Sequence, residues 1–382
     1  MSISLSQDTF EAIPSPCFVL EEEKLRRNLE RLDSVQKNAQ ISIILALKGF
    51  AMWSSFPLIK SFLKSATASS MNEAKLCAEK FSALAHTYAV GYRDEEFDEL
   101  MKLSSHVTFN SLNQFYKFQD RVPPRISMGL RVNPEWSDVV ADLYNPSQTH
   151  SRLGLISSRL PETLPPNIEG LHFHVLCESS AAALVQVLEN FEKKFKKYLP
   201  NIKWLNMGGG HLITKDGYDV ELLVNTLKYF KKKYQVEIIL EPGGAIAWQT
   251  GFLKTTIIDI VENQGSPTAI IDASFTCHMP DCLEMPYRPE IMEGSHHAEK
   301  YPFRYNIGGI SCLAGDFLAG YSFSKPLKIG NTLTFQDMMH YTMVKTTMFN
   351  GIDHPSIGVI GADDRFELLK TFTYQDYRDK LS

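Results

Sequence analysis

The chain has 382 residues, a length that suits two domains better than one. Its 44% hydrophobic content allows a large core, and its net charge of −5 argues against a nucleic-acid-binding protein. Six cysteines without a CxxC pair favour reduced thiols in the cytoplasm. Residues 1–10 lack an apolar core, and no apolar run approaches the roughly 18 residues that span a bilayer, so neither a signal peptide nor a membrane segment is predicted.

Short apolar runs alternate with amphipathic segments between residues 40 and 250. Eight of these runs are predicted strands, at 43–47, 66–70, 86–91, 106–109, 125–133, 170–176, 204–207 and 237–241. Strands separated by helix-period segments predict an α/β fold, a (β/α)8 barrel of the TIM type. The proline-rich segment 133–166 has no clear period and is predicted to be a long functional loop.

The sequence pattern changes after about residue 250, where runs of β-branched residues alternate with turns that contain glycine and proline. The runs 255–261, 268–272, 326–329, 332–335 and 357–360 predict a mostly antiparallel β domain. Segment 16–20 is also strand-like and is a candidate strand of the same sheet. The predicted domains are therefore a barrel of residues 22–250 and a β domain of residues 1–21 and 251–382.

Lys48 ends the first predicted strand and is followed by Gly49. An ammonium at the tip of an apolar strand is partly desolvated, which lowers its pKa and makes the amine a competent nucleophile. The ordinary alternative is a lysine whose stem packs on apolar surface while its charge reaches water. The residues at the other strand ends favour the chemical role.

Two glycine-rich loops follow the seventh and eighth predicted strands, the positions where barrels of this type commonly bind phosphate. The first is Gly208, Gly209 and Gly210, whose backbone amides can approach an anion closely. The second follows Glu241 and contains Gly243. A triple glycine alone is often a plain turn, but two such loops at these strand ends predict a phosphate site.

His172 and His174 end the sixth predicted strand and are two residues apart, so in a strand they point to the same face. Such a pair can bind a metal, but the other strand ends offer few further ligands. A structural pair and a ring that contacts a planar cofactor are the other interpretations. No metal is predicted.

A binding site for pyridoxal phosphate requires a lysine, a ring that contacts the cofactor, an anion-binding loop and a carboxylate. The strand ends of this chain offer all four. Lys48 would hold this cofactor covalently, and a histidine would stack on its ring. Glu241 would keep the pyridine nitrogen protonated, which makes the ring a strong electron sink and favours the loss of CO2.

The sequence resembles the fold-type III pyridoxal-phosphate decarboxylases, which share the alanine racemase fold and include ornithine, arginine and diaminopimelate decarboxylases. The resemblance covers nearly the whole chain, and the strings that carry it are 15–20, 46–49, 173–175, 208–210, 241–243, 311–316 and 346–351. It implies that His174, not His172, stacks on the cofactor, and that Tyr341 contacts the phosphate. Glu73 matches a structural acidic residue near the lysine.

The resemblance also implies a homodimer with shared active sites. Cys312 would be delivered from the second subunit and would protonate the substrate carbon after CO2 leaves, and Asp316 would meet a substrate amine. From the residues alone, Cys312 is a small apolar side chain in a glycine-rich turn.

Departures from the family pattern narrow the substrate. Gly244 replaces an arginine that helps diaminopimelate decarboxylases hold a second carboxylate, and Cys177 replaces a serine that binds phosphate in many relatives. Strings 48–53, 248–251 and 276–289 resemble carboxynorspermidine decarboxylases. This resemblance implies a carboxylated polyamine substrate, carboxynorspermidine or carboxyspermidine.

A cationic tail needs acidic partners, and the candidates besides Asp316 are Asp272, Asp281 and Glu284. Any one of them is alternatively a turn carboxylate that faces water. Arg288 would bind the substrate α-carboxylate or only brace its loop. The rival functions are a diaminopimelate decarboxylase, a non-catalytic pyridoxal-phosphate carrier, and a metal-dependent hydrolase that uses the histidine pair.

Overall fold

The computed structural model describes residues 6–382. The described residues divide into two compact units, residues 26–246 and residues 6–25 with 247–382. None of the helices in the described range is long and apolar enough to cross a bilayer. The prediction that residues 1–10 are not a signal peptide falls partly outside the described residues and stays a prediction.

The first unit is a barrel of parallel strands. The strands as far as residue 246 are β1 (Cys17–Glu21), β2 (Ser42–Ile43), β3 (Leu45–Ala46), β4 (Ala66–Ala68), β5 (Ala85–Tyr88), β6 (Ser104–Phe109), β7 (Ser127–Arg131), β8 (Ile168–His172), β9 (Trp204–Asn206) and β10 (Glu237–Leu240). All except β1 form one sheet in the order β2-β10-β9-β8-β7-β6-β5-β4-β3. The predicted barrel is confirmed.

The barrel closes through a strand that is split in two. β2 pairs with β10, β3 pairs with β4, and the break between them is Ile44. The Ile44 N–H donates to the carbonyl of Leu240 at 3.0 Å, while the Leu45 N–H donates to the carbonyl of Ser65 at 3.1 Å. The first predicted strand therefore serves both edges of the sheet.

Most helices of the chain follow strands and begin at residues that cap them. The helices are α1 (Gln7–Ala12), α2 (Glu22–Ala39), α3 (Phe56–Lys60), α4 (Met71–Leu76), α5 (Asp94–Lys102), α6 (Leu112–Phe118), α7 (Ala181–Phe195), α8 (Val220–Tyr234), α9 (Gly244–Ala247), α10 (Phe275–His278), α11 (Asp281–Glu284) and α12 (Tyr374–Leu381). The side chains of Ser70, Ser111 and Asp219 accept from the N–H three residues later at the starts of α4, α6 and α8. The lysine runs near the ends of α7 and α8 lie beside apolar faces that are buried in the barrel unit.

Trp204 fills space beside two glycines on neighbouring strands. A Cβ added to Gly170 would lie 2.1 Å from the Trp204 ring, and one added to Gly129 would lie 2.3 Å from it. The indole is 5% exposed, and its Nε1–H donates to the Ser127 hydroxyl at 2.8 Å. Glycine at both positions is therefore required by the bulk of this one side chain.

The long loop between β7 and β8 is confirmed as irregular, with only two short 3-10 turns. Asn110, which follows β6, fixes its later part: the Asn110 amide donates to the carbonyl of Arg152 at 2.8 Å and accepts from the N–H of Gly154 at 2.8 Å. In its earlier part, the Ser137 hydroxyl donates to the carbonyl of Val175.

The second unit is a mixed sheet. Its further strands are β11 (Gly251–Val261), β12 (Thr268–Ile271), β13 (Gly294–Ser295), β14 (Phe303–Gly308), β15 (Phe317–Phe323), β16 (Thr332–Gln336), β17 (Ser356–Ile360) and β18 (Phe366–Lys370). The order is β13-β15-β14-β12-β11-β1-β17-β18, and β16 also pairs with β11. Six of its eight strand pairs are antiparallel, as predicted.

The N-terminal strand joins this sheet, as expected. β1 pairs antiparallel with β11 and parallel with β17. The predicted strand at 326–329 is wrong, because this segment leads into a turn at Gly330, whose φ is 88°. Strands β13, β14, β15 and β18 were not predicted.

Candidate active site

Lys48 and His174 meet at the C-terminal end of the barrel strands. Each follows its strand by two residues, β3 for Lys48 and β8 for His174, and Lys48 Nζ lies 3.3 Å from His174 Nε2. The Lys48 side chain is open to solvent along one side, yet the surrounding protein still desolvates its ammonium. Burial first, and the charge of Arg131 second, lower the pKa of Lys48.

The hydrogen bonds of His174 define which of its nitrogens carries the hydrogen. The Gly209 N–H donates to Nδ1 at 2.8 Å, and burial together with nearby positive charges keeps the pKa of His174 low and its ring neutral. The ring hydrogen is therefore on Nε2, directed at Lys48 Nζ. A protonated amine has no lone pair to accept it, so the geometry favours the neutral, nucleophilic form of Lys48.

Glu241 follows β10 and is buried. Its Oε1 accepts from the Asn206 amide at 2.6 Å, and its own N–H donates to the carbonyl of Gly208 at 2.7 Å. Burial raises the pKa of Glu241, while Asn206 and the charge of Lys48 act in the opposite direction. The carboxylate is thus held in a dry setting, where a cationic partner would be bound strongly.

Asn206 connects Glu241 with the glycine loop. Besides donating to Glu241, it accepts the Gly208 N–H at 2.9 Å. Sequence reasoning missed this residue, although a polar side chain that ends a buried strand just before three glycines was a usable signal.

Each glycine of the first loop lies too close to its neighbours for a side chain. An added Cβ would lie 2.5 Å from the carbonyl oxygen of Phe173 at Gly208, 2.3 Å from that of Glu241 at Gly209, and 2.0 Å from that of Leu176 at Gly210. The amides of Gly208 and Gly209 already donate to Asn206 and His174. Within the described residues, this leaves the Gly210 amide as the donor of this loop with no acceptor in the chain.

Arg131 is a functional candidate that sequence reasoning did not single out. It ends β7 and is 5% exposed, and its guanidinium lies 4.6 Å from the centre of the Tyr88 ring. It also donates to the carbonyl of His174 at 3.1 Å. A charged residue inside an apolar predicted strand was the available signal.

His172 is not part of the Lys48–His174 contact. It lies inside β8, is 2% exposed, and packs edge-on against the Tyr88 ring with 5.4 Å between ring centres. Its Nε2 lies 3.7 Å from Glu241 Oε2, too far for a hydrogen bond, and burial keeps its pKa low and its ring neutral. The sequence led us to expect both histidines on one face of a strand. The strand ends at His172, so His174 lies beyond it and the two side chains do not share a strand face.

The segment after His174 is hydrogen-bonded to the long loop between β7 and β8. The Cys177 N–H donates to the Ser179 hydroxyl at 3.2 Å, and that hydroxyl donates to Asp138 at 2.7 Å. Cys177 is close enough to Lys48 to influence its pKa. Ser179 and Asp138 were not anticipated.

The remaining predicted residues belong to the second unit. Cys312 is exposed, and its N–H donates to the side-chain carbonyl of Asn350 at 2.8 Å. Asp316 is 4% exposed, and its carboxylate accepts three hydrogen bonds from within this unit. Tyr341 is half-buried, with a left-handed φ of 53°.

The acidic candidates have defined partners. The Lys345 ammonium bridges Asp281 and Glu284, which lie at opposite ends of α11. Asp272 accepts from the Ser15 hydroxyl at 2.7 Å and from the Thr256 N–H at 2.9 Å, and burial raises its pKa.

Arg288 donates to two carbonyls on β15. The acceptors are those of Ala319 and Gly320, each at 3.2 Å. These bonds brace the loop, and binding of the substrate α-carboxylate by Arg288 stays a prediction.

Comparison with known proteins identifies the class. Residues 17–339 match the family described as "Pyridoxal-dependent decarboxylase, C-terminal sheet domain". The chain belongs to this family of pyridoxal-dependent decarboxylases, and it is a pyridoxal-phosphate enzyme.

Individual relatives are similar over their full length. The chain is 48% identical over 379 residues to carboxyaminopropylagmatine decarboxylase of Synechocystis sp., covering 99% of this chain and 98% of that protein. It is 43% identical to carboxynorspermidine/carboxyspermidine decarboxylase of Campylobacter jejuni, covering 96% and 98%. A crystal structure of carboxynorspermidine decarboxylase from C. jejuni, complexed with norspermidine, superimposes with a TM-score of 0.89 at 42% identity, covering 96% of this chain and 100% of that chain.

The barrel unit fits pyridoxal phosphate. Lys48 presents an amine whose pKa is lowered, Glu241 a buried carboxylate for a pyridinium, and Gly210 an unused amide in a cradle that any Cβ would fill. When bound, the cofactor supplies an electron sink for the loss of CO2. Lys48 would supply the anchoring amine, Glu241 the charge that matches the ring nitrogen, and His174 the surface on which the ring rests.

Proposed function

We propose that this enzyme decarboxylates carboxynorspermidine and carboxyspermidine to norspermidine and spermidine in polyamine biosynthesis. The observation that carries the proposal is the pair Asp281 and Glu284, whose carboxylates converge on a single ammonium, that of Lys345. Two carboxylates on one short helix hold an ammonium here, and an ammonium is the kind of group that a polyamine tail presents. The Campylobacter jejuni relatives support the same substrate class.

The proposed roles divide between the two units. In the barrel, Lys48 anchors the cofactor, His174 stacks on its ring, and Glu241 pairs with the pyridine nitrogen. The phosphate is held by Gly208, Gly209, Gly210 and Gly243, with Tyr341 of the second unit. Cys312 donates the final proton, and the candidates that bind the substrate amines are Asp272, Asp281, Glu284 and Asp316.

We further propose a cytoplasmic homodimer in which the predicted β domain of one subunit, residues 1–21 and 251–382, completes the site of the other. The exposed thiol of Cys312 supports this, because a proton donor for a dry site needs a covering partner. None of the six cysteines forms a disulfide, in keeping with a reducing compartment.

A second candidate substrate is carboxyaminopropylagmatine, favoured by the 48% identical relative from Synechocystis sp.. Its tail ends in a planar guanidinium instead of an ammonium, and two carboxylates on one short helix can bind either group. The proposed residue roles are the same for both substrates.

Steady-state kinetics on purified holoenzyme test the proposal. We expect the highest kcat/KM with one of the three carboxylated polyamines, and a value at least about 100-fold lower with meso-diaminopimelate. Glu284→Gln should raise KM for the polyamine about tenfold, because it removes one charge from the cation site.

The matched control is Glu299→Gln, which removes an exposed carboxylate paired with Arg304 and should leave KM unchanged. Preference for diaminopimelate would overturn the substrate assignment. The absence of CO2 release from every substrate would favour the non-catalytic carrier.

A further inference from the structure

The loop that carries Cys312 joins β14 to β15 and is mostly exposed. An exposed loop fixes a side chain poorly unless its backbone is hydrogen-bonded to fixed groups. Residues 309–316 contain two glycines and turn sharply, since the Gly309 N–H donates to the carbonyl of Asp316 at 2.7 Å. The position of the Cys312 thiol therefore depends on what holds this short segment.

Asp316 holds the base of the loop. Its buried carboxylate accepts from the Ser274 hydroxyl at 2.8 Å, the Thr276 N–H at 3.0 Å and the Ser311 N–H at 3.1 Å. Hydrogen bonds to a buried carboxylate are strong, so the backbone is anchored as far as Ser311. Cys312 is the next residue, and Asp316 does not contact it.

Asn350 holds Cys312 itself. Its Oδ1 accepts the Cys312 N–H at 2.8 Å, and its backbone is left-handed, with φ 58° and ψ 11°. Asparagine tolerates this conformation better than other residues that carry a Cβ. It is thus one of few side chains that suit this backbone and also supply a hydrogen-bond acceptor.

We propose that Asn350 is a positioning residue that aims the Cys312 thiol at the substrate carbon. The proposal rests on the proposed role of Cys312 as proton donor. After CO2 leaves, the carbon takes the Sγ–H proton, and the resulting thiolate is reprotonated by solvent. If the thiol is misplaced, the proton goes to the cofactor carbon instead, and hydrolysis then gives the aldehyde of the polyamine and the aminated cofactor, with water supplying the aldehyde oxygen.

Product partition in Asn350 variants tests this role with carboxynorspermidine as substrate. Asn350→Gly keeps the left-handed backbone and removes the acceptor, and Asn350→Asp keeps both. We expect Asn350→Gly to raise the aldehyde fraction at least about fivefold and to lower kcat, with KM within about twofold of wild type. Asn350→Asp should partition like wild type.

Hydrogen exchange of the Cys312 amide gives a readout that needs no turnover. Its protection should fall about tenfold in Asn350→Gly and be kept in Asn350→Asp. Unchanged protection in Asn350→Gly, or an unchanged aldehyde fraction, would overturn the proposal even if activity falls.

Cys312→Ala separates this proposal from the one on which it rests. If Cys312→Ala forms aldehyde and Asn350→Gly does not, only the positioning role is lost. If Cys312→Ala gives clean polyamine, the donor role of Cys312 is overturned and the positioning role with it. Support requires that Asn350→Gly add no further aldehyde in the Cys312→Ala background.

Discussion

The Lys48–His174 contact shows how backbone placement can fix the protonation of a nucleophile. Because the Gly209 amide takes one imidazole nitrogen as its acceptor, the other must carry the hydrogen and face Lys48. Arg131 adds to this through its charge, which makes a second cation nearby less favourable. The Gly209 amide, the His174 ring and the Arg131 charge thus all favour the neutral form of the Lys48 amine.

This arrangement predicts the pH dependence of cofactor capture. The rate at which apoenzyme binds pyridoxal phosphate, followed by its visible absorbance, should rise with pH through the lowered pKa of Lys48. Arg131→Met removes a positive charge that lowers the pKa of Lys48. The pKa of Lys48 should therefore rise in this variant, and the midpoint of the pH profile of cofactor capture should move up by about one pH unit. Arg131→Lys keeps the charge and serves as the control, and equal midpoints in the two variants would contradict the argument.

The sequence predicted those site residues that stand at strand ends and missed those that depend on contacts between strands. Lys48, His174 and Glu241 stand at strand ends, where chain position alone indicates a shared location. Asn206 and Arg131 act through contacts to residues from other strands, and such contacts exist only once the barrel register is known.

Among the elements, the first glycine loop couples three strand ends. It contacts the segment after β8, accepts from the Glu241 N–H beyond β10, and starts at Asn206 of β9. Its glycines are needed for close approach at all three positions, and at Gly209 the constraint is purely steric because the φ there is not left-handed.

Gly209→Ala should therefore weaken cofactor binding. Its Cβ would meet the Glu241 carbonyl at 2.3 Å, so the loop must shift and the His174 bond must lengthen. We expect the dissociation constant for pyridoxal phosphate, measured by absorbance titration, to rise at least about tenfold.

Gly91→Ala is the matched control, since its Cβ would meet nothing within 4 Å. Comparable binding by the two variants would show that the loop adjusts without cost.

The predictable elements are those with a strong pattern. The barrel strands are apolar runs between helices, and the sequence predicted their centres correctly. The break at Ile44 was not predictable, because it depends on how the sheet closes. β14 and β15 are rich in aromatic and glycine residues and flank an eight-residue loop, so they lack the β-branched signal used for strands.

For the whole molecule, the distribution of the proposed catalytic residues between two units has a testable outcome. Lys48→Ala and Cys312→Ala should each be nearly inactive alone. If subunits share sites, random re-association of the two inactive proteins should restore up to about one quarter of wild-type activity, because half of the dimers then carry one intact site of two. The measurement is CO2 release after mixing and exchange, and no recovery despite proven exchange would contradict shared sites.

The N-terminal strand β1 has a consequence for how the protein is made. It leaves the ribosome well before its partners, which are β11, beginning at Gly251, and β17, ending at Ile360. The barrel residues lie between and can fold during translation, while β1, an apolar strand with both edges unpaired, must wait until the residues up to Ile360 have been made. During synthesis β1 is therefore an unpaired apolar strand that is open to aggregation and that a chaperone could bind.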